Sequence, residues 1–373
     1  MNRAREVQAK LEALRGWLEH SDLDAALLSS HGGFAWISGG GDNHVVVAQD
    51  AGAASVLVTR EDAYLVAPNN ELRRLVDEQV TGAGFTPVEW PWPEEDGEGR
   101  IVERLCDPAR TVSDLGRLGL PVAPPELAEL RLTLLPPERD RYRRLGRDAA
   151  EAVEVAVLAA QPGDRELDIA ARLEFECRRR DVVAVVALVG VDNRLGVFRH
   201  PLPTARRLER TVLVSLTGRR HGLHASLTRM VHFHSHLAGA ADPDLEERHA
   251  AAVRVDARLI AESEPGAGLG AVFDRGVEQY QREGFGGEWR LHHQGGLTGY
   301  AGREVFASSA AHHTLRAGQA AAWNPTIGGA KSEDTILVGD GAGPETLTRT
   351  STWPQVAVEV QGEIVERPIL LRR

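Results

Sequence analysis

Cysteine, lysine and long apolar segments are scarce in this sequence. Its 373 residues include two cysteines, Cys106 and Cys177, which are too few for a disulfide framework or a cysteine-based zinc site. The longest strongly apolar run, residues 182–191, has about half the length that a membrane-spanning helix needs. The amino terminus is charged and lacks the apolar stretch of a signal peptide. We therefore expect a cytoplasmic protein without a membrane span.

Acidic residues and arginines dominate the charged side chains. The 43 basic residues are outnumbered by 54 acidic ones, and the formal net charge is −11 at pH 7. The sequence has no dense basic cluster, which argues against a nucleic acid or an anionic membrane as a partner. Lys10 and Lys331 are the only lysines, so a lysine that is retained within a motif is of interest.

The pattern of strands and helices divides the chain into two domains. Residues 1–134 predict a small α/β domain with helices over 3–20 and 71–78, a surface loop at 89–99, and strands at 25–28, 45–48, 54–59, 63–67, 111–114 and 131–135. Pro136 followed by acidic Glu138 predicts a helix start. Residues 135–373 predict an α+β domain with helices over 136–160, 166–180 and 245–262, and strands at 182–189, 211–216, 228–236, 320–323 and 334–338.

Several common active-site patterns are missing, whereas four motifs of the second half stand out. The chain has no Gly-x-Ser-x-Gly elbow, phosphate loop or His-Glu-x-x-His. The four motifs are RHPLP (199–203), TVLVSLTGRRHGLHASLTRM (211–230), HHQGGLTGYAGRE (292–304) and WNPTIGGAKSEDTILV (323–338). In this order they resemble the pita-bread family, which includes creatinase, aminopeptidase P, prolidase and methionine aminopeptidase. The segment SSHGGFAWISGGGDN (29–43) is similar to the amino-terminal domain of creatinase and aminopeptidase P.

The resemblance implies an α+β pita-bread domain preceded by a small α/β domain, a homodimer, and a small-molecule or short-peptide substrate. Metallopeptidases of this family hold two metal ions with Asp, Asp, His, Glu and Glu. The motifs carry these positions onto Ser215, Ser226, His293 or His292, Asn324 and Glu333. Three positions thus hold neutral side chains, which cannot offset the charge of two divalent cations. We expect no metal cofactor, and Lys331 stands where the family usually has arginine.

Creatinase is the relative that suggests a chemistry for such a pocket. It also lacks both aspartates, uses no metal, and cleaves a C–N bond with a histidine that maps to His200. Glu333 corresponds to a carboxylate that holds the cationic group of creatine, and Thr228 stands where creatinase has a second one. The resemblance implies that His200 moves protons, His293 polarises the substrate carbonyl, and Glu333 holds a charged end of the substrate. The expected substrate-binding residues are His292, Arg303, Tyr300, Asn324, Ser215 and Ser226.

The leading hypothesis is a metal-independent hydrolase of a C–N bond in a small amino-acid-like or peptide-like molecule. Two alternatives stay open: an inactive pseudo-peptidase that binds a ligand in the old site, and an Xaa-Pro peptidase that uses a single metal ion. Structural roles also stay open, since Glu333 can form an ion pair with Arg303 or Lys331. The polar residues at the former ligand positions can fill the cavity with a neutral hydrogen-bond network. Three histidines alternate along one predicted strand and therefore share one of its faces: His232, His234 and His236. This face either is solvated or binds an ion.

Overall fold

The computed structural model describes residues 1–233, 243–341 and 343–373. The chain forms two compact units. The first comprises Met1–Arg139 with His221–Leu223, and the second comprises Asp140–Arg220 with His224–Arg373. Within the described ranges, no helix is both long enough and apolar enough to cross a membrane.

The first unit is built around a mixed sheet of five strands. Its helices are α1 (Arg3–His20), α2 (His31–Ile37), α3 (Asn69–Arg74), α4 (Gly97–Leu105) and α5 (Pro125–Glu129), with a π-helical turn at Leu75–Gln79 and 3-10 turns at Pro108–Arg110 and Arg117–Gly119. Its strands are β1 (Ala25–Ser30), β2 (Ala51–Thr59), β3 (Ala63–Pro68), β4 (Thr86–Trp90) and β5 (Thr111–Ser113). The spatial order is β4-β3-β2-β1-β5, with β1 parallel to β5, β3 parallel to β4, and antiparallel pairs between.

Helix α1 shows why the apolar pattern of the amino terminus predicts a helix. Val7, Leu11 and Leu14 recur at helical spacing and are buried, so one face of α1 packs into the core of the first unit. Lys10 is buried as well, and its ammonium forms ion pairs with Glu6 at 2.7 Å and with a second carboxylate at 2.8 Å. The predicted helix is confirmed at both ends.

In its described residues, the second unit contains two larger sheets, two strand pairs and five helices. The helices are α6 (Pro136–Leu158), whose first turn belongs to the first unit, α7 (Glu166–Arg178), α8 (Asn193–Val197), α9 (Pro243–Ala261) and α10 (Leu269–Arg282), with a 3-10 turn at Glu288–Leu291. The strands are β6 (Val183–Val191), β7 (Thr211–Arg220), β8 (Leu223–His232), β9 (Gly295–Thr298), β10 (Val305–Phe306), β11 (Ala320–Trp323), β12 (Thr326–Ile327), β13 (Ala330–Lys331), β14 (Asp334–Leu337), β15 (Glu345–Thr346), β16 (Gln355–Val360), β17 (Glu363–Pro368) and β18 (Leu371–Arg372).

The two larger sheets of this unit carry the residues of interest. One has the order β18-β8-β7-β6 and the other has the order β10-β9-β11-β14-β15, while β12-β13 and β16-β17 form separate pairs. A backbone bridge joins the sheets, because the amide of Thr228 on β8 donates to the carbonyl oxygen of Glu333 at 3.1 Å. Helix α7 packs on β6, and α9 packs on α10 and on β13 and β17. The sheets thus bring the second, third and fourth motifs together.

Three local predictions for the first unit are wrong. Residues 45–48 and 131–135 form turns and irregular chain rather than strands, and the expected surface loop 89–99 contains the end of β4 and the start of α4. Residues 45–47 are three consecutive valines with exposed side chains. A high β-propensity does not make a strand without a neighbouring strand and a buried face. Helix α10 was not predicted, although its apolar residues follow a helical period.

A buried ion network fixes the strand segment that carries the fourth motif. The guanidinium of Arg367 is fully buried and pairs with Asp256 and with Asp334, the latter at 2.6 Å. Arg229 pairs with Asp334 at 3.1 Å, and the hydroxyl of Ser332 donates to Asp256 at 2.5 Å. Two guanidinium groups therefore face two carboxylates, so the network carries no formal net charge and holds residues 332–334 in place.

Replacing one member of this network is expected to destabilise the second unit strongly. Arg367→Met leaves two buried carboxylates without their shared partner, so we expect the free energy of unfolding to fall by about 3–5 kcal/mol. Arg349→Ala is the matched control, since Arg349 pairs with Glu366 on the surface and exposed pairs contribute at most about 1 kcal/mol. Urea unfolding monitored by tryptophan fluorescence measures both. Equal losses in the two variants would contradict the role given to the network.

Candidate functional site

Two histidines from separate segments meet at the centre of the candidate site. His200 follows helix α8, and His292 follows the 3-10 turn Glu288–Leu291. Their Nε2 atoms lie 3.0 Å apart, which is a hydrogen bond whose donor depends on the tautomers. His200 is exposed and His292 is 8% exposed. The imidazole of His200 is therefore open to solvent, and its hydrogen bond to the buried imidazole of His292 orients it.

An ion pair beside the histidines fixes the two segments relative to each other. Arg199 directly precedes His200, and its guanidinium pairs with Glu288 at 2.7 Å. Glu288 begins the turn that leads to His292 and also accepts from the amide of Gly328 at 3.0 Å. Because Arg199 and Glu288 are adjacent in sequence to the two histidine segments, their pair holds His200 against His292.

His293 completes a group of three imidazoles. Its ring centroid is 4.4 Å from that of His292 and 6.0 Å from that of His200. The exposed ring of His293 also contacts Phe306 edge-to-face, with centroids 5.2 Å apart. The backbone turns sharply after Gln294, where Gly295 has φ 109°, and a Cβ there would lie 2.0 Å from the carbonyl oxygen of Ala322. Only glycine allows this approach of β9 to β11, which places the histidines.

The carboxylate of Glu333 lies in a buried cluster with Lys331. The Lys331 ammonium is 2.8 Å from Oε2 of Glu333 and donates to the hydroxyl of Ser215 at 3.3 Å. The same Oε2 accepts from the hydroxyl of Ser215 at 3.0 Å and from that of Thr228 at 2.6 Å. Lys331 and Glu333 are both buried. One carboxylate oxygen of Glu333 therefore has three partners, all supplied by the protein.

Arg303 approaches the other oxygen of Glu333 from the loop after β9. Its Nη2 is 3.7 Å from Oε1 of Glu333, and its side chain is 11% exposed. The Nε atom of Arg303 is buried and has no hydrogen-bond partner among the described residues. Lys331, Glu333 and Arg303 together leave an excess of one positive charge. The guanidinium thus has donors available for an anionic group of a ligand.

The electrostatic environment keeps the imidazoles neutral and the carboxylate charged. Burial lowers the pKa of His200, and the charge of Lys331 lowers it further. For the same reasons the pKa of His292 falls to about 2, while burial and the charge of Arg303 lower the pKa of His293 to about 4. Burial would raise the pKa of Glu333, but the charges of Lys331 and Arg303 outweigh it and lower the value to about 2.

The remaining sequence-derived site residues lie at the edges of this cluster or outside it. Ser226 hydrogen-bonds to Thr217 at 2.9 Å and not to Glu333, so it is separated from the Lys331 contacts. Asn324 is 2% exposed, and its Oδ1 has no partner among the described residues. Tyr300 is buried ahead of the loop that carries Arg303. All three are buried, and the substrate-binding roles expected for them from the sequence stay predictions.

Some residues of the site were not identified from the sequence. Arg199 belongs to the RHPLP motif but has no role assigned from the sequence, and Glu288 lies outside the four motifs. The two are 89 positions apart, so only the folded chain shows that they form a pair. The resemblance places Thr228 where creatinase has a carboxylate, and the structure shows its hydroxyl as a donor to Glu333. Of the alternating histidines, His232 is buried on β8 and its Nδ1 contacts the hydroxyl of Thr211 at 2.8 Å. His234 and His236 lie outside the described residues.

The side chains do not fit the two-metal centre that the resemblance implies. Two divalent ions bring four positive charges, whereas Glu333 is the only carboxylate at the five ligand positions. That carboxylate already pairs with Lys331, whose ammonium also contacts Ser215 at the first aspartate position. Burying two further cations next to a paired ammonium is strongly unfavourable. A lysine cation therefore contacts two of the five ligand positions.

Comparison with known proteins supports the fold. A family model described as metallopeptidase family M24 matches residues 140–340. Dipeptidase PepE from Mycobacterium ulcerans is similar with a TM-score of 0.77 at 16% identity over 100% of both chains. The prolidase from Pyrococcus horikoshii OT3 has a TM-score of 0.76 at 18% identity, covering 92% of this chain and 99% of its own. The amino-terminal domain of the FACT complex subunit SPT16 from chickpea reaches 0.69 at 10% identity, covering 93% and 96%. No curated protein matches the chain.

These likenesses confirm the predicted fold class and the resemblance. The chain has an α+β pita-bread domain with a small α/β domain before it. At identities of 16% and 18%, these solved structures show the fold of the chain. The reaction has to be inferred from the residues of the site.

The lowered pKa of His292 predicts a pH dependence of stability. The folded protein keeps this imidazole neutral below pH 6.5, whereas the unfolded chain binds a proton there. The free energy of unfolding is therefore expected to fall as the pH decreases from 6.5 towards the folded pKa, with a His292 contribution of up to about 1.4 kcal/mol per pH unit. Urea unfolding at pH 7, 6 and 5 measures this slope. His292→Gln should make the slope less steep, because glutamine does not titrate, while the lowered pKa values of His200 and His293 still contribute.

His312→Gln serves as the control for this measurement. His312 is exposed on the same unit, so its replacement is expected to leave the slope unchanged. A His292→Gln variant with the same slope as the parent protein would show that the buried imidazole does not cause the pH dependence.

Proposed function

Because the chain belongs to metallopeptidase family M24, we propose that it hydrolyses a C–N bond of a small peptide-like or amino-acid-like substrate without the family's two-metal centre. The contact of the Lys331 ammonium with Glu333 and Ser215 carries this proposal. A fixed ammonium replaces the cation that the family positions at this carboxylate. The chemistry then depends on the imidazoles, of which His200 and His293 are exposed to solvent.

His200 acts as the general acid and base. Its exposed imidazole can take a proton from a water molecule that attacks the substrate carbon, and can return this proton to the departing nitrogen as the C–N bond breaks. His292 positions the ring through the 3.0 Å contact between the Nε2 atoms. The ion pair between Arg199 and Glu288 keeps both segments in register. A neutral imidazole near pH 7 is the form that can accept the proton.

His293 and Arg303 bind the substrate. His293 lies beside His200 and polarises the carbonyl or the equivalent carbon–nitrogen group. Arg303 offers guanidinium donors to a substrate carboxylate, as the surplus positive charge of the pocket favours an anionic group. Glu333 has a different part from the one that the creatinase resemblance implies. Because Lys331, Ser215 and Thr228 occupy its Oε2, it anchors the lysine rather than a cationic substrate end.

A second candidate is a ligand-binding protein that has lost catalysis. The saturated Glu333 favours it, since a carboxylate with three protein partners on one oxygen has little capacity left for chemistry. The likeness to the SPT16 domain is compatible with this candidate, because that structure's name describes a complex subunit. A third candidate, an Xaa-Pro peptidase with a single metal ion, agrees with the prolidase neighbours. It needs an ion beside Glu333, where Lys331 lies.

Replacing His200 distinguishes the leading proposal from the binding-only candidate. We expect wild-type protein to hydrolyse members of a panel of Xaa-Pro dipeptides, other dipeptides and creatine-like compounds in the presence of a chelator. His200→Ala should lower kcat/KM by at least about 100-fold, because it removes the proton-transfer group. Its substrate affinity should change little, which isothermal titration calorimetry measures. His312→Ala, at an exposed position, should behave like the parent protein.

Two results would contradict the proposal. Turnover that disappears with the chelator and returns with Mn²⁺ or Co²⁺ would support the single-metal peptidase. Ligand binding without turnover by the wild-type protein, unchanged in His200→Ala, would support the binding-only candidate.

A further inference from the structure

The three imidazoles of the site are close enough to share an ion. Each of His200, His292 and His293 offers a ring nitrogen, and these atoms lie within 4.8 Å of one another. Two nitrogen ligands of a tetrahedral zinc ion are about 3.3–3.4 Å apart, given zinc–nitrogen bonds of about 2.0–2.1 Å. The Nε2 atoms of His200 and His292 are already 3.0 Å apart. The longest separation needs a shift of at most about 1.5 Å.

We propose that His200, His292 and His293 bind a single divalent transition-metal ion such as Zn²⁺ or Co²⁺, and that this ion inhibits the protein. The site is distinct from the family's ligand set, because it uses His200 and neither Glu333 nor the positions of Ser215 and Asn324. Only the inhibition rests on the proposed function, in which His200 moves protons. Binding of the ion follows from the imidazoles alone.

The surroundings of the rings favour an exchangeable ion. His292 is buried and forms the back of the site, while His200 and His293 are exposed, so an ion can enter and keep a water ligand. The Arg199–Glu288 pair holds the two segments that carry the rings. The Nε2 atoms of His200 and His292 share one proton in their hydrogen bond, and a metal ion bound to both nitrogens replaces that proton. The ion then occupies Nε2 of His200, the proposed general base.

The charges nearby determine which ions bind and how tightly. Lys331, Glu333 and Arg303 together carry one excess positive charge, so the site lacks the carboxylate that strengthens many catalytic zinc sites. The affinity is therefore expected to be lower than that of a resident cofactor. Imidazole ligands select Zn²⁺, Co²⁺, Ni²⁺ or Cu²⁺ over Mn²⁺, Mg²⁺ and Ca²⁺, which prefer carboxylate oxygen. The preference for Zn²⁺ or Co²⁺ over Mn²⁺ therefore distinguishes a histidine site from a site at the carboxylate of Glu333.

Titration of tag-free, full-length protein with Co²⁺ tests the binding directly. Cobalt held by three imidazoles and water absorbs in the visible range, and we expect this band to saturate with one histidine-bound ion per chain and to disappear when Zn²⁺ is added. His200→Ala and His293→Ala each remove one exposed ring and should weaken binding at least tenfold. His312→Ala is the control and should bind as the parent does. Circular dichroism verifies that each variant is folded.

Several outcomes would overturn the proposal. Absence of the band means that the imidazoles do not bind the ion. A band that persists in both His200→Ala and His293→Ala means that the ion lies elsewhere, for example at His31, Asp42 and His44 of the first unit. Tight Mn²⁺ binding would place the site at carboxylates. Where turnover is measurable, Zn²⁺ should lower it and a chelator should restore it, whereas activation by Zn²⁺ would overturn the inhibition. Without turnover the proposed function fails, and the Co²⁺ titration still decides the site.

Discussion

The buried ion pair of Lys331 and Glu333 is the constraint on which the site depends. Its 2.8 Å contact joins Lys331 on β13 to Glu333, which directly precedes β14, and Ser215 on β7 and Thr228 on the neighbouring β8 complete the partners of the carboxylate. A buried carboxylate needs a compensating cation. Here the polypeptide supplies that cation as the side chain of Lys331. The carboxylate is thus compensated within the chain itself.

This ion pair also determines which neighbouring charges stay uncompensated. Because Lys331 neutralises Glu333, the charge of Arg303 is left to attract an anionic group, and the same positive field helps keep the histidines unprotonated. The pair of His200 and His292, held by Arg199 and Glu288, is the element to which we assign proton transfer in the proposed reaction. The same rings are the ones that we propose to bind a transition-metal ion. Both proposals, the metal-independent reaction and its inhibition by a transition-metal ion, therefore rest on the same three imidazoles.

Much of the fold was predictable from the sequence, but little of the geometry of the site was. Helix α1 and the strand around Ser215 follow apolar patterns, and four motifs in order indicate the family. The strand predicted at 228–236 begins earlier, at Leu223, so the position of Ser226 on β8 was missed. The prediction of a strand at residues 45–48 is wrong, because a high β-propensity does not provide the neighbouring strand that a sheet needs. The pair of Arg199 and Glu288 joins positions remote in sequence. Whether Glu333 pairs with Lys331 or Arg303 stayed open because side-chain distances depend on how the sheets meet.

The most direct test of the account uses the scarcity of lysine. In protein labelled with ¹⁵N at lysine Nζ, Lys10 and Lys331 are the only sources of ammonium signals, and Lys10 serves as the internal reference because it forms its own buried pair with Glu6. We expect two signals protected from solvent exchange, one of which disappears in Lys331→Arg. That signal should shift in Glu333→Gln and in Ser215→Ala, while the Lys10 signal stays in place. A Lys331 ammonium that exchanges like a free lysine, or that does not respond to Glu333→Gln, would contradict the account.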